Sequence, residues 1–558
     1  MAGSSSRTPP IDEETPLFHD HDPAGSESRE DQPILQAPSE ETWTIPRGFF
    51  WIQLALMSNV FLQAFDSTIT AATYAVISSE FGSANTASWL TTSYLVTSTA
   101  VQPLYGRVSD IFGRRLCFFI ATITFGLGCL GCGLARDVVT LNCMRALTGF
   151  GGAGLMTMAT IVNSDMIPFR RRGMYQAMQN GIWGLGGISG ASLGGAIADK
   201  IGWRWCFLLQ VPVSIFALFV GAVAVKNQAG NLFEDGIKAV WKRVDFTGAL
   251  FLVLAISVQL LGLSLGGNEL PWTSPWVIAL LISSVALFAI FFFIEGRTTA
   301  IPIIPLRMLK GRLPVATQIA NICAGLSAYG VILMESATKA GARLALPSLA
   351  TPIGSIIAGI VMSRWGKLIP LVRTGASIIC FGSAVLLSLS FQDASWKYIA
   401  FIIPTNLGVG VIYPSILFTT LASFDHAGKT MDKITTLQLS ESGTNPKLID
   451  HAVSASTVYL IRSLGAVWGV SITSAIVQTT LSVRLPDALS GISDKWRVID
   501  DIRHSVEALK TLPPDVQLKA RLVYFDGIHY AFASVVVAGA IAVIAAFIAS
   551  PKQMRSTH

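Results

Sequence analysis

Charge is scarce in this chain. Of its 558 residues, 13% are Asp, Glu, Lys or Arg and 51% are hydrophobic, where an ordinary soluble protein carries about 25% charge. That shortage excludes a soluble globular domain as the bulk of the molecule and points to a lipid bilayer. The net charge of +6 forms no basic face. Its residues cluster in short connections between apolar runs, so nucleic acid is not an expected partner. Cysteine is sparse too: the seven cysteines all lie within apolar runs and imply no disulfide framework. Cys129 and Cys132 form a CxxC, but in a Gly-rich apolar setting they read as small packing residues rather than a metal or redox site. There is no His-rich, HExxH or GxSxG constellation and no nucleotide loop. A membrane enzyme is therefore not expected, and no cofactor or metal is called for.

Residues 1–45 are rich in Ser, Pro, Asp and Glu and have almost no apolar periodicity, which predicts a disordered cytosolic tail. No basic start precedes an apolar core, so this is not a signal peptide. Within it Glu13-Glu14-Thr15-Pro16-Leu17-Phe18 has the form of an acidic dileucine sorting signal, with Phe18 where Leu or Ile is usual. It offers a site for a sorting adaptor at a vacuole or lysosome-like membrane.

What the chain has in abundance is long apolar runs. Fourteen are of the length that crosses a bilayer: 49–73, 87–105, 116–135, 138–162, 174–197, 205–225, 246–266, 276–294, 313–333, 343–362, 374–391, 397–420, 455–480 and 528–549. The even count puts both termini on one side. Loops after even-numbered spans carry Arg107, Arg114 and Arg115; Arg170, Arg171 and Arg172; Lys226, Lys238, Lys242 and Arg243; Arg297, Arg307, Lys310 and Arg312; and Arg364, Lys367 and Arg373. By the positive-inside rule both termini are cytosolic. The 481–527 connection is then a non-cytosolic loop, with helix-like stretches around Ile499–Lys510 and Val516–Leu522. A cytosolic insertion occupies 422–454, its polar centre at 428–451, where Asp425-His426-Ala427 recurs as Asp450-His451-Ala452. Residues 551–558 form a second cytosolic tail.

The connection Gly106–Arg115 is charged where its flanks are not. Gly106 and Gly113 permit a tight turn and close helix approach. Asp110 can pair with Arg114 or Arg115, and the arginines can also reach lipid phosphates. One reading is an ordinary basic loop. The other is a gating element, because Gly359, Ser363, Gly366 and Lys367 repeat the offsets of Gly106, Asp110, Gly113 and Arg114. An internal repeat in a membrane protein suggests two related halves.

The first span holds Asn59, Gln63, Asp66 and Thr70 at spacings of four, three and four, on one helical face. A charged Asp at a helix centre costs about 2.5–3.5 kcal/mol, so it needs a cavity or a partner. Arg145 in the fourth span lies at a matching depth, counted at about 1.5 Å per residue. The pair is either a structural ion pair or a proton-coupling device, in which moving Arg145 switches Asp66 between holding and releasing a proton. Gly186, Gly190 and Gly194, four apart, make a flat strip for close helix packing.

These motifs carry a family resemblance. The Gly106–Arg115 loop resembles the signature loop between helices 2 and 3 of the major facilitator superfamily. Phe65-Asp66-Ser67-Thr68 resembles the Asp-x-Thr motif of its fourteen-helix drug:proton antiporter family. Leu141–Gly154 resembles that family's fourth-helix motif, with Thr148 in place of the usual Gln. The glycines from Gly186 to Gly195 resemble its fifth-helix motif, with Ala191 in place of the usual Pro. Trp203-Arg204-Trp205 with Gln210-Val211-Pro212, and Tyr459-Leu460-Ile461-Arg462-Ser463-Leu464-Gly465, are most similar to fungal vacuolar basic amino acid transporters. The resemblance covers about residues 47–550.

The resemblance implies an all-α membrane protein with the major facilitator fold. Two six-helix bundles, 46–225 and 313–550, would flank a segment, 226–312, carrying two inserted helices. It implies alternating access, proton coupling through Asp66 and Arg145, and gating by Gly106, Asp110, Gly113, Arg114 and Arg115. Spans 1, 9 and 12 would line the cavity, with Asn59, Gln63, Asp66, Gln318, Asn321 and Asn406 as substrate-binding candidates; the amides equally suit bonds between helices. Arg462 is a further buried charge. Three functions remain open: proton-coupled carriage of basic amino acids into the vacuole, drug or toxin export at the plasma membrane, and non-transporting nutrient sensing. The family's Pro-containing extension after span 9 is missing, since Glu335 follows almost at once.

Overall fold

A computed structural model describes residues 45–81, 86–225, 245–266, 270–298, 302–304, 306, 311–336, 347–427, 446–489 and 513–549. Its regular structure is helical: α1 (Phe49–Phe81), α2 (Thr86–Phe112), α3 (Arg114–Leu134), α4 (Val138–Met166), α5 (Phe169–Ile201), α6 (Arg204–Ala224, interrupted at Leu209), α7 (Phe246–Leu265), α8 (Pro275–Glu295), α9 (Arg312–Ser336), α10 (Ala350–Trp365), α11 (Leu368–Leu386), α12 (Ser395–Ala427), α13 (Pro446–Ala488) and α14 (Pro514–Ile548). In hydrocarbon every backbone N–H and C=O must be satisfied within its own segment, and the helix does this. Ends are set locally. The Asp137 carboxylate accepts from Thr140 N at 2.8 Å to cap α4, and Asp245 accepts from Gly248 N at 2.7 Å to cap α7. Gly113 (φ 91°) and Gly366 (φ 63°) turn the chain between α2 and α3 and between α10 and α11. Both φ values are positive, which glycine enters without strain, but their ψ values differ, 154° at Gly113 and 12° at Gly366, so the two copies of the repeat share a glycine turn without sharing its shape.

The helices form two bundles of six. In the first, α1 packs on α5 and α6, α2 on α4, and α3 on α4 and α6. In the second, α9 packs on α13 and α14, α10 on α12, and α11 on α12 and α14. Helices α7 and α8 pack on each other, and α7 rests on α2. Across the seam α2 meets α13 and α10 meets α5. Under the sequence repeat α10 is the counterpart of α2 and α13 of α5, so the two contacts are one contact made twice.

Eight of these helices are long and apolar enough to cross a membrane on composition alone: α3, α6, α7, α8, α11, α12, α13 and α14. The other six include α2, α5 and α10, which meet at the seam, and α1 and α4, which carry Asp66 and Arg145, and many of their polar groups are buried inside the protein. Phe219, Val223, Ile282, Val285 and Phe293 point outward from α6 and α8, as a lipid-facing rim requires. Because lipid tails are as apolar as leucine, helix contacts here rely on close approach. Gly465 and Gly469 of α13 lie against the backbone of α9 at Ile322 and Leu326.

Several boundaries differ from the apolar runs. Helix α13 continues to Ala488 and α14 begins at Pro514, so the connection is shorter than the expected 481–527 loop. The added turns are amphipathic: Leu481 and Leu485 pack with Ala520 and Val523, while Arg484 Nη1 meets Asp526 at 2.6 Å. Apolar content marks where a helix leaves the bilayer, whereas packing carries it further. The expected insertion at 422–454 likewise has helical flanks, with α12 running to Ala427 and α13 starting at Pro446. Its centre at 428–445, the Glu13–Phe18 signal and the 499–510 stretch lie outside the described residues. Helix α9 is full length and includes Glu335.

Candidate functional site

The ion pair between α1 and α4 is the centre of the first bundle. Its position follows from glycines. A Cβ on Gly186 would lie 2.6 Å from Phe61 O, and one on Gly190 would collide with Thr68 Oγ1 and Phe65 O. So α5 closes directly on the turns of α1 that carry Asp66. Gly194 accepts a long contact from Cys206 Sγ of α6 at 3.6 Å. On the other side, a Cβ on Gly149 of α4 would lie 2.5 Å from Tyr94 O of α2.

Within this frame Asp66 is 0% and Arg145 1% exposed. Arg145 Nη1 donates to Asp66 Oδ2 at 2.8 Å and to Oδ1 at 2.9 Å. Its Nε donates to Leu90 O at 3.3 Å, and its Cζ lies 4.6 Å from the Tyr94 ring centroid and 5.7 Å from that of Phe207. Gln210 Nε2 makes a weak contact with Asp66 Oδ1 at 3.4 Å. Depth counting found the Asp66–Arg145 pairing. It missed Tyr94 and Leu90, which belong to a helix with no charge near them to draw attention. Chemically, the site is a buried carboxylate whose charge is balanced by one buried guanidinium. Neutralising Asp66 would leave the buried Arg145 without its ion-pair partner.

The other residues expected on this face diverge. Asn59 Nδ2 donates to Thr122 Oγ1 of α3 at 2.9 Å, while Gln63 Oε1 accepts from Trp183 Nε1 of α5 at 2.9 Å. Thr70 bonds back to Asp66 O at 2.9 Å. In the second bundle Asn321 Nδ2 donates to Gln318 Oε1 at 3.4 Å and to Val458 O of α13 at 2.8 Å. Gln318 Nε2 reaches Thr420 Oγ1 of α12 at 3.4 Å. Asn406 Nδ2 donates to Pro347 O at 3.1 Å. The structure brings Gln318 and Asn321 together and leaves Asn59 and Asn406 apart from them and from Asp66, each bonded between elements.

The Gly106–Arg115 stretch, expected as a connecting loop, is helical except at Gly113, which ends α2 and starts α3, and it holds a buried charge network. Arg114 Nη1 meets Asp110 Oδ1 at 2.5 Å and Ser109 Oγ at 2.9 Å, while its Nε meets Asp165 Oδ2 at 2.8 Å. Asp165, at the end of α4, was not singled out from sequence; nothing in its own neighbourhood marks it. Arg107 Nη1 lies 3.9 Å from Asp110 Oδ2, and its Nε donates to Pro302 O at 2.6 Å. Arg115 Nη2 caps the end of α6 at Ala222 O, 3.0 Å away.

The seam is closed at the end that carries the Gly113 and Gly366 turns. Gly106 fits against Ser456 and Ala452 of α13, and Gly359 against Gly173 and Ala177 of α5. Tyr459 of α13 shares a hydrogen bond of 2.7 Å with Thr160 of α4, and Gln176 Nε2 of α5 reaches the same phenol at 3.5 Å. Asn180 Nδ2 donates to Ser355 Oγ at 3.1 Å, and Ser463 Oγ to Gln102 Oε1 at 3.0 Å. These described hydrogen bonds between the bundles all lie in that half of the molecule.

Outside the membrane, at the opposite end, stand the helix-capping Asp137 and, in the turn before α12, Asp393. A backbone hydrogen bond from Thr140, then its hydroxyl, holds Asp137 below the usual carboxylate range. Lys397, then the Ser390 amide, does the same for Asp393.

Residues 56–439 match the family model for the Major Facilitator Superfamily. The chain is 38% identical over 459 residues to vacuolar basic amino acid transporter 2 of Saccharomyces cerevisiae, covering 79% of this chain and 89% of the relative. It is 32% identical over 493 residues to multidrug resistance protein fnx1 of Schizosaccharomyces pombe, covering 87% and 89%. In fold it is similar to the human organic anion transporter MFSD10, with a TM-score of 0.56 over 90% of this chain and 100% of that one at 9% identity.

Proposed function

The chain belongs to the Major Facilitator Superfamily, and from that premise we propose that it is a proton-coupled transporter carrying basic amino acids into the vacuole. The observation that carries the coupling is the buried Asp66–Arg145 pair. A proton on Asp66 removes the counter-charge of Arg145, and a fully buried cation without one is unstable. Arg145 must then move, and it is anchored to α2 through Leu90 O and Tyr94. Helix α2 also carries Gly106 and Gln102, which close the seam against α13. Protonation and seam opening thus share one helix. In this mechanism the bundles rock about the seam, exposing the site to one side and then the other. Both termini face the cytosol, and the seam is closed on that side. The substrate class is supported by similarity to the yeast vacuolar basic amino acid transporter.

The test is uptake of labelled arginine, lysine and histidine into vacuolar vesicles with and without a proton gradient, for wild type and Asp66→Asn. Gradient-driven uptake in the wild type, lost in the variant, is expected. Full gradient-driven uptake by Asp66→Asn would overturn the coupling role. A second reading, export of drugs at the plasma membrane, is favoured by similarity to fnx1. It is distinguished by location at the cell surface and by failure to carry any of the three amino acids.

A further inference from the structure

We propose that Arg462 of α13 binds the carboxylate of the transported amino acid, held ready by Tyr413 and Tyr459. The proposal rests on the amino acid reading above and deepens it.

Arg462 is half-buried in the part of α13 that forms the seam. Its Cζ lies 4.3 Å from the Tyr459 ring centroid and 4.7 Å from that of Tyr413, on α12. Two rings attract the cation and fix its position, yet they accept none of its N–H groups in the way an oxygen does. Among the described residues Arg462 makes no ion pair and donates no hydrogen bond. The other buried or half-buried arginines do donate: Arg145 to Asp66, Arg114 to Asp110 and Asp165, Arg107 to Pro302 O, Arg204 to Glu80, and Arg373 to Ala546 O. An ionisable group at membrane depth that lacks a protein partner marks a ligand path. The planar guanidinium, with its donors in a fixed fork, suits a carboxylate in particular.

The surroundings say where such a ligand would sit. Tyr459 reaches across the seam to Thr160 and Gln176, and Ser463, next to Arg462, reaches Gln102. Arg462 therefore lies where the bundles meet, so a ligand on it can touch both. On α2, Tyr94 lies against Arg145 and Gln102 bonds to Ser463. Eight residues separate them, about 12 Å along the axis. The anionic site at Asp66 and the cationic site at Arg462 are thus distinct, one in each bundle. That arrangement suits a substrate bearing both charges. The aromatic grip also links binding to the seam, because Tyr459 contacts Arg462 with its ring and the first bundle with its hydroxyl.

The experiment uses the full-length protein in vesicles, with labelled arginine exchanged against unlabelled arginine or against agmatine, which is arginine without its carboxylate. Wild type is expected to prefer arginine by about tenfold or more. In Arg462→Gln the apparent KM for arginine should rise by a similar factor while inhibition by agmatine stays unchanged, so the preference collapses. Arg462→Lys, which keeps the charge but not the fork, should fall between. An Arg462→Gln variant that keeps the wild-type preference would overturn the proposal. So would a wild type that binds agmatine as tightly as arginine, a result that needs no variant to fold. A wild type carrying no basic amino acid would instead bring down the transport reading, and this proposal with it.

Discussion

Replacing Asp66 by Asn separates the ion pair's structural role from its coupling role. The substitution keeps size and shape but removes the charge that Arg145 faces at 2.8 and 2.9 Å. Arg145, 1% exposed, keeps the Leu90 carbonyl at 3.3 Å and the face of Tyr94. Breaking a buried pair by removing one partner costs about 3–5 kcal/mol; the Tyr94 ring contact is present before and after the substitution and cancels. A loss of about 3–5 kcal/mol is expected. Adding Arg145→Gln removes the stranded cation and lets two amides face each other. The double variant should therefore regain about 2 kcal/mol relative to additivity, within the range of directly contacting pairs. The assay is thermal unfolding read by a thiol-reactive dye. Cys129 and Cys132 are fully buried beside the site and report its opening, once exposed Cys143 is replaced. Gradient-driven uptake should be absent in both variants, although the double variant is the more stable. Wild-type unfolding temperature in Asp66→Asn, with strictly additive behaviour in the double, would refute the claim that a buried charge is stranded.

Three further outcomes follow from the packing. Gly190→Ala should destabilise by about 1–3 kcal/mol by overpacking, because its Cβ meets the Phe65 carbonyl and Thr68; Gly195→Ala, with nothing within 4 Å, should gain about 0.5–1 kcal/mol from helix propensity, both read by thermal unfolding. Gly106→Val should push α2 off Ser456 and Ala452, and bifunctional cross-linking of a Gln102→Cys/Ser463→Cys pair should slow; an unchanged rate would show that the seam does not depend on close approach there. Asp137 and Asp393 are held below the usual carboxylate range, so Asp137 at its helix end and Asp393 in its turn each stabilise the fold above the unfolded pKa and lose that effect only as pH falls through the lower folded value. Unfolding temperature should therefore show no pH dependence from either carboxylate between about pH 5 and 7, where its stabilisation is fully present, and should lose that stabilisation only at lower pH, tested by comparing the pH profiles of Asp137→Asn and Asp393→Asn with wild type.

Much of the architecture was legible because it rests on one-dimensional signals. Apolar runs marked the spans, the repeat of Gly106 in Gly359 marked the two halves, and equal depth matched Asp66 to Arg145. Four-residue glycine spacing marked the face of α5 that closes on α1. The face shared by Asn59, Gln63 and Asp66 was read correctly as a face but not as a set of neighbours. Asn59 and Asp66 differ by only about 20° around the helix, yet one meets α3 and the other α4. Packed helices cross at an angle, so the neighbour facing a given stripe changes with depth.

By itself, then, the amino-acid order determined a helical membrane protein of two related halves, the turns that need glycine, and the one acidic residue too costly to leave without a partner. These follow from composition, periodicity and spacing, which act along a single chain. Only the tertiary structure decided that Tyr459 spans the seam, that Asp165 completes the Asp110–Arg114 network, and that Arg462 is held by rings and, among the described residues, by no oxygen. Each depends on which helices stand side by side. In a bilayer that choice comes from close packing and hydrogen-bond satisfaction between helices far apart in sequence, and no local pattern records it.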